Sequence, residues 1–251
     1  MSKWIVLVAA AFLPQALWAA DVPATLQWSQ RVELTTPVSG IVKAVNVDVG
    51  DTVKKGQVLL TLDSTTFQAM VAGDQSEITR YQAETEEAKR DFDRIRELHE
   101  RTVVATAELD RAKLHLVKSQ SMLAEARARL RQDQKALDDT SLRAPFDAVV
   151  ILRDAEPGLS VITGLQPQML LTLARSGEMI ARMNLPSAQI DGLKTGQTIT
   201  VTVAGTSYTG KIRTLGLEPV DTKSGTVYPV DVAFPYKQPL RAGAPAVVKL
   251  P

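Results

Sequence analysis

The stretch TPVSGIVKAVNVDVGDTVKKG, from Thr36 to Gly56, recurs as APFDAVVILRDAEPGLSVITG, from Ala144 to Gly164, at a constant offset of 108 residues. The alignment sets Pro37 on Pro145, Ile41 and Val42 on Val149 and Val150, Gly50 on Gly158, Val53 on Val161 and Gly56 on Gly164. Three extra residues then shift the frame, and VLLTL from Val58 matches MLLTL from Met169. Each copy is a series of short Val- and Ile-rich segments cut by glycine turns, a composition that suits pleated, half-buried strands. A copy of about 30 residues has too little apolar area to be stable alone. The two copies are therefore expected to close on each other as a small quasi-symmetric sandwich. Whatever lies between Leu62 and Leu142 must leave this module and return to nearly the same place.

The intervening sequence supplies such an excursion. Phe67, Val71, Asp74, Ile78, Tyr81, Thr85, Ala88, Phe92 and Ile95 alternate steps of four and three, and so do Leu109, Ala112, Leu116, Ser119, Leu123, Ala126, Leu130, Asp133 and Leu137. This is the heptad seam of a coiled coil, and Glu, Lys, Arg, Gln and Ala dominate the other positions, as a solvated helix requires. Folded antiparallel about a turn at Arg101 to Thr106, each seam residue faces one whose number sums with its own to 204. Ile95 then meets Leu109, Phe92 meets Ala112, and Tyr81 meets Leu123. Thr85 falls opposite Ser119, where the two hydroxyls are expected to satisfy each other. Asp74 and Asp133 oppose Leu130 and Val71, and are expected to reach solvent or to mark where the helices splay. An arm of about 30 residues at 1.5 Å each spans roughly 45 Å. So thin a rod offers surface for docking and little volume for a site. A plain spacer would have no need to return to a split domain.

From Met179 onward the chain is strand-rich. GQTITVTVAGTSYTGKIRTL reads as two strands across Ala204 and Gly205, further strands are expected at Thr226–Phe234 and Pro245–Leu250, and a short helix follows Pro186 and Ser187. Many short strands with Gly and Pro turns suggest a small barrel or sandwich. At the other end, Lys3 precedes an apolar run from Trp4 to Leu13 and small residues at Ala16 to Ala20, the layout of an export signal. The run is shorter than the roughly 20 residues that cross a bilayer, so cleavage near Ala20 is expected over a retained anchor. Without cysteine the exported chain is expected to carry neither disulfides nor a cysteine-linked lipid. Loss of residues 1–20 removes Lys3 from 29 basic residues and leaves 28 of each sign. A neutral chain gives no field for nucleic acid.

No arrangement supports catalysis. His99 and His115 fall on opposite arms, roughly 15 Å apart along the rod, too far for a shared metal. The carboxylates Glu84, Glu86 and Glu87 near Lys89 and Arg90 read as a solvated helix face. GDTVKKG opens no helix as a phosphate loop would, so its glycines are turn residues. Met179 and Met183 point to one face of a strand as core or rim residues, and a soft-metal site would want more sulfur. No cofactor is expected.

The order of half-motif, hairpin, half-motif and barrel resembles the haemolysin D-like periplasmic adaptor family, or membrane fusion proteins, over essentially the whole mature chain. PVSGIVKAVNVDVGDTVKKGQVLLTLD resembles the family's first lipoyl half and LRAPFDAVVILRDAEPG its second. LKTGQTITVTVAGTSYTGKI and LRAGAPAVVKL resemble its barrel. The resemblance implies an elongated, modular α+β chain: a signal peptide over 1–20, an N-terminal strand and first lipoyl-like half over 21–63, a coiled-coil α-hairpin over 64–139, the second half over 140–175, and a β-barrel over 176–251. It implies a periplasmic adaptor joining an inner-membrane efflux transporter, of the resistance-nodulation-division type, to an outer-membrane channel for export of small molecules. Copies are expected to stack into a homo-oligomeric ring. In pump-linked members a pattern of Arg, three residues, Leu, six residues and Ser at the tip docks the channel. Arg94 and Leu98 match it here, Ala105 holds the Ser position, and Thr106 is the neighbouring hydroxyl. No room for a membrane-proximal domain is expected. Two rival readings are an adaptor of an ATP-driven exporter and a lipoyl or biotin carrier. A carrier would present Lys in the tight turn that the hairpin replaces here.

Overall fold

Val, Ile and Leu in both copies of the repeat build strands, and the Ala-, Glu- and Arg-rich run between them builds helices. The computed structural model describes residues 21–164, 168–222 and 225–250, and the export signal expected over 1–20 lies outside them. In chain order the elements are β1 (Asp21–Trp28), β2 (Arg31–Leu34), β3 (Gly40–Val45), β4 (Thr52–Val53), β5 (Val58–Leu62), α1 (Thr65–Glu100), α2 (Thr106–Asp138), β6 (Ser141–Arg143), β7 (Ala148–Arg153), β8 (Ser160–Val161), β9 (Leu171–Arg175), β10 (Glu178–Leu185), α3 (Ser187–Ile190), β11 (Thr198–Val203), β12 (Thr206–Leu215), β13 (Val220–Thr222), β14 (Gly225–Pro235) and β15 (Pro245–Lys249). They form two compact units, Arg31–Ala174 and the chain up to Gln30 together with that from Arg175. No helix among the described residues is long and apolar enough to cross a membrane.

In the Arg31–Ala174 unit the strands make two four-stranded sheets, β2-β9-β7-β4 and β6-β5-β3-β8. Each sheet takes two strands from each half of the repeat, and the exchange is symmetric residue by residue. Gly40 pairs with Val161 and Ile41 with Ser160, while Val53 pairs with Ala148 and Thr52 with Val149. The backbone follows the same rule. Gly50 N–H donates to Val150 O and Gly158 N–H to Val42 O, both at 2.8 Å; Val42 N–H donates to Leu159 O and Val150 N–H to Asp51 O, both at 2.9 Å. The three-residue frame shift is respected too, since Asn46 N–H reaches Leu59 O and Asp154 N–H reaches Leu170 O. Between the sheets, Val42, Val53, Leu59, Leu60 and Leu62 pack in one core with Ala148, Val150, Val161, Leu171 and Leu173. Full burial of each large side chain stabilises by roughly 1.5–3 kcal/mol.

The hairpin leaves and re-enters this sandwich at adjacent strands. β5 runs into α1 and α2 returns into β6, with Leu60 paired to Leu142, Thr61 to Ser141, and Leu62 N–H donating to Thr140 O at 2.8 Å. Every seam residue from Phe67 to Ile95 and from Leu109 to Leu137 is buried or half-buried. Ile78, Leu123 and Ala126 form a cluster against which Tyr81 and Leu130 pack, the neighbours that the antiparallel register requires. Two polar positions differ from expectation. Ser119 Oγ donates to His115 O at 2.9 Å in its own helix, leaving the shielded Thr85 Oγ1 without a partner. A helical serine finds the carbonyl four residues back at no cost in register, so the cross-helix bond is not formed. Asp74 does not reach solvent. It is 5% exposed and ion-paired to Arg129 of α2.

In the second unit β10, β1, β15, β11, β12 and β14 pair in that order, and β14 pairs back to β10 to close an antiparallel barrel, with β13 added beside β14. Leu26, Met179, Met183, Leu185, Val201, Ile212, Val232, Phe234 and Val248 fill its interior. Tyr208 packs on Phe234 with ring centroids 5.2 Å apart. The sequence groups residues 21–63 together, but pairing places β1 in the barrel, with Leu26 opposite Ala181 and Pro23 opposite Val247. Without β1 both β10 and β15 would present open edges, and closure removes them. Arg182 and Asp231, directly opposed across the closing β10–β14 pair, form a bidentate ion pair at 2.7 and 2.8 Å. The β11–β12 turn places Ala204 and Gly205 at φ 46° and 82°, the two positive values of a type I′ hairpin.

The two-fold makes a quantitative expectation. Gly50 and Gly158 sit at φ 97° and 90° with nothing within 4 Å of an added Cβ, so only backbone strain opposes substitution. Gly50→Ala and Gly158→Ala should each cost roughly 1–2 kcal/mol in chemical denaturation. Gly164→Ala, at an open position without positive φ, should stay within about 0.5 kcal/mol of the parent.

Candidate functional site

The candidate docking residues sit where α1 ends and α2 begins. Arg94 lies on the solvent side of α1, its side chain 71% exposed and ion-paired with Asp91. Two positions on, Arg96 pairs with Asp93 at 3.1 Å and stacks over the Phe92 ring at 5.6 Å. Leu98 is half-buried, and its carbonyl accepts from Val103 N–H at 2.9 Å while His99 O accepts from Thr102 N–H at 2.8 Å. These two bonds define a Schellman cap around a left-handed residue. The left-handed position is usually glycine, and here it is Thr102 at φ 58°, a strained conformation for a β-branched side chain.

Ala105, extended at φ −74° and ψ 152°, is the N-cap of α2, and its carbonyl accepts from Glu108 N–H at 3.0 Å. Alanine offers no side-chain oxygen to the free amides of the first turn. The adjacent hydroxyl does not replace it. Thr106 Oγ1 faces back across the turn, 3.3 Å from His99 Nε2, tying the end of α1 to the start of α2. Ala105 and Thr106 are both exposed, and so is Val103 at 66%. The tip therefore brings Leu98, Val103, Ala105 and Thr106 to one turn, with Arg94 on α1 one helical turn before Leu98.

Sequence reasoning missed the His99–Thr106 bridge and the exposed Val103. A VV pair in a turn that lacks glycine was the available signal for both the strain and the apolar tip. His115 lies apart from His99, in a shallow groove with Glu87, Ala88, Arg90, Asp91 and Arg94. No group of three or more His, Cys, Asp or Glu side chains among the described residues converges to hold a metal ion.

A helical hairpin inserted into a split sandwich, in a chain that also closes a small barrel, is the fold of the membrane fusion proteins. The membrane fusion protein Spr0693 from Streptococcus pneumoniae R6 superposes with a TM-score of 0.74 at 18% identity, over 93% of this chain and 99% of that one. MacA from Actinobacillus actinomycetemcomitans superposes with a TM-score of 0.75 at 21% identity, over 92% of this chain and 78% of that one. At these identities the likeness establishes the fold. A family model, the CzcB-like barrel-sandwich hybrid domain, matches residues 30–166, and the chain belongs to that family. The macrolide export protein MacA of Escherichia coli O157:H7 is 26% identical over 201 residues, 73% of this chain and 54% of that protein. The multidrug resistance protein MdtA of Cronobacter turicensis is 25% identical over 211 residues, 81% of this chain and 51% of that protein. The chain thus spans about half the length of the curated relatives it matches.

The geometry of the tip yields a stability test. Ala105→Ser should restore a side-chain cap and Thr102→Gly should relieve the left-handed strain, each stabilising the tip by about 1 kcal/mol. Slower amide hydrogen exchange through Leu98–Leu109 in both variants would report it.

Proposed function

We propose that the chain is a periplasmic adaptor subunit that joins an inner-membrane efflux transporter to an outer-membrane channel for the export of small molecules. The observation that carries this reading is the paired rod: two helices rooted on hydrogen-bonded neighbouring strands and bearing an exposed tip. Such an element transmits attachment and not chemistry. The names of MacA and MdtA point the same way, to macrolide export and multidrug resistance.

In this reading the segment 64–139 is the docking arm. Arg94 supplies a solvated guanidinium for a carboxylate or carbonyl of the channel, and Leu98, with Val103, supplies apolar surface for its core. Ala105 allows close approach, and Thr106 holds the turn through His99. The transporter is of the resistance-nodulation-division type, the copies assemble as a ring around the substrate conduit, and the adaptor works in the periplasm at the inner membrane. It performs no catalysis of its own.

The docking residues are tested in a deletion strain carrying Arg94→Asp or Leu98→Asp. Each should reduce efflux of a fluorescent dye to the level of the empty strain, while circular dichroism and gel filtration of the purified variants match the parent. Parental efflux from either variant would remove that residue from the docking surface.

A further inference from the structure

The adaptor reading makes no use of Asp74, yet the hairpin holds this carboxyl where a charge is least tolerated. It occupies a seam position with Leu130 opposite, and is 5% exposed. Its Oδ1 lies 3.3 Å from Arg129 Nε, while its Oδ2 is shielded from solvent without a hydrogen-bond partner among the protein's donors. The Arg129 side chain is 66% exposed, so water screens much of the charge it offers.

The surroundings are acidic. Met70, Gly73, Asp74, Glu77, Arg129 and Asp133 line one cleft between the two helices. Asp133 follows Arg129 by one turn of α2, and Glu77 follows Asp74 by one turn of α1. Three carboxyls thus face a single guanidinium, and full ionisation leaves two negative charges unbalanced. Burial first, then a hydrogen bond and the charge of Asp133, raise the Asp74 carboxyl above its ordinary value, with Glu77 adding to the rise and Arg129 opposing it. A carboxylic acid beside a carboxylate is stabilised by holding one proton between them.

We propose that Asp74 takes up a proton beside Asp133 across the seam, so that mild acidification tightens the root half of the hairpin and its reversal loosens it. Protonated, the Asp74 carboxyl can donate to Asp133, with which it lines the cleft, and removes one charge from the seam. Ionised, the pair repels, and water must enter to solvate it. The sign follows from linkage. The folded chain holds this proton more tightly than the unfolded chain, so the stabilisation is complete below the ordinary carboxylate range and is lost as pH rises through the folded value.

The chain has no cysteine, so spin labels can be attached uniquely to Ala72→Cys and Arg131→Cys, both exposed and flanking the pair. Electron double resonance on the full-length protein, from about pH 4 to about pH 8, should give a narrow distance distribution at the acid end that lengthens and broadens as pH rises. The melting temperature of the same protein should fall over the same interval. Asp74→Asn should keep the narrow distribution throughout, and Asp133→Asn should move the midpoint to lower pH. Parallel pH profiles for the parent and Asp74→Asn would overturn the proposal. Should Asp74→Asn fail to fold, Asp133→Asn decides alone: an unmoved midpoint overturns it.

Discussion

Neither half of the Arg31–Ala174 unit can complete a sheet with its own strands, because β3 needs β8 and β7 needs β4, and each partner lies about a hundred residues away in the chain. The bonds that join them come in symmetric pairs, Gly50 to Val150 and Gly158 to Val42, so the two halves form together or not at all. That mutual dependence governs everything between them. The chain from Leu62 to Leu142 has to depart from one strand and return to its hydrogen-bonded neighbour, and two antiparallel helices are the cheapest way to do so over that length. The rod is a consequence of the interlocked sandwich, and the tip of the rod is the point farthest along the chain from both roots.

The rod itself trades stability for definition. An all-apolar seam would tolerate sliding by a heptad, whereas Ser119, Thr85, Asp74 and Asp133 interrupt it at unequal positions and make alternative alignments poorer. The interruptions are not equivalent. Ser119 satisfies itself within its helix, Thr85 is left without a partner, and Asp74 draws Arg129 in from the solvent face. At the tip, Thr102 in a left-handed conformation and the uncapped Ala105 are both locally unfavourable, and both lie within the segment that the family resemblance associates with docking.

Closure of the barrel depends on a different long-range contact. β1 begins the described chain yet pairs with β10 and with β15 near its other end, so the unit is completed only when the first and last described strands meet. The Arg182–Asp231 pair sits on the seam between β10 and β14, where its planar, two-bond geometry holds register as well as charge.

The amino-acid sequence alone determined the repeat, the hairpin, its register and the strand-rich character of the rest. These are carried by periodicity: a 108-residue offset, alternating steps of three and four, and glycines at turns. They also determined Arg94, Leu98, Ala105 and Thr106 as candidates, through motif spacing and family resemblance. What tertiary structure decided is partner choice. That β1 belongs to the barrel, that each sheet mixes strands from both halves, that Ser119 turns to its own helix and that Asp74 is buried beside Asp133 all depend on which group reaches a neighbour first in three dimensions. Periodicity specifies which face of an element is buried, but it carries no information on the distant group that comes to lie against it.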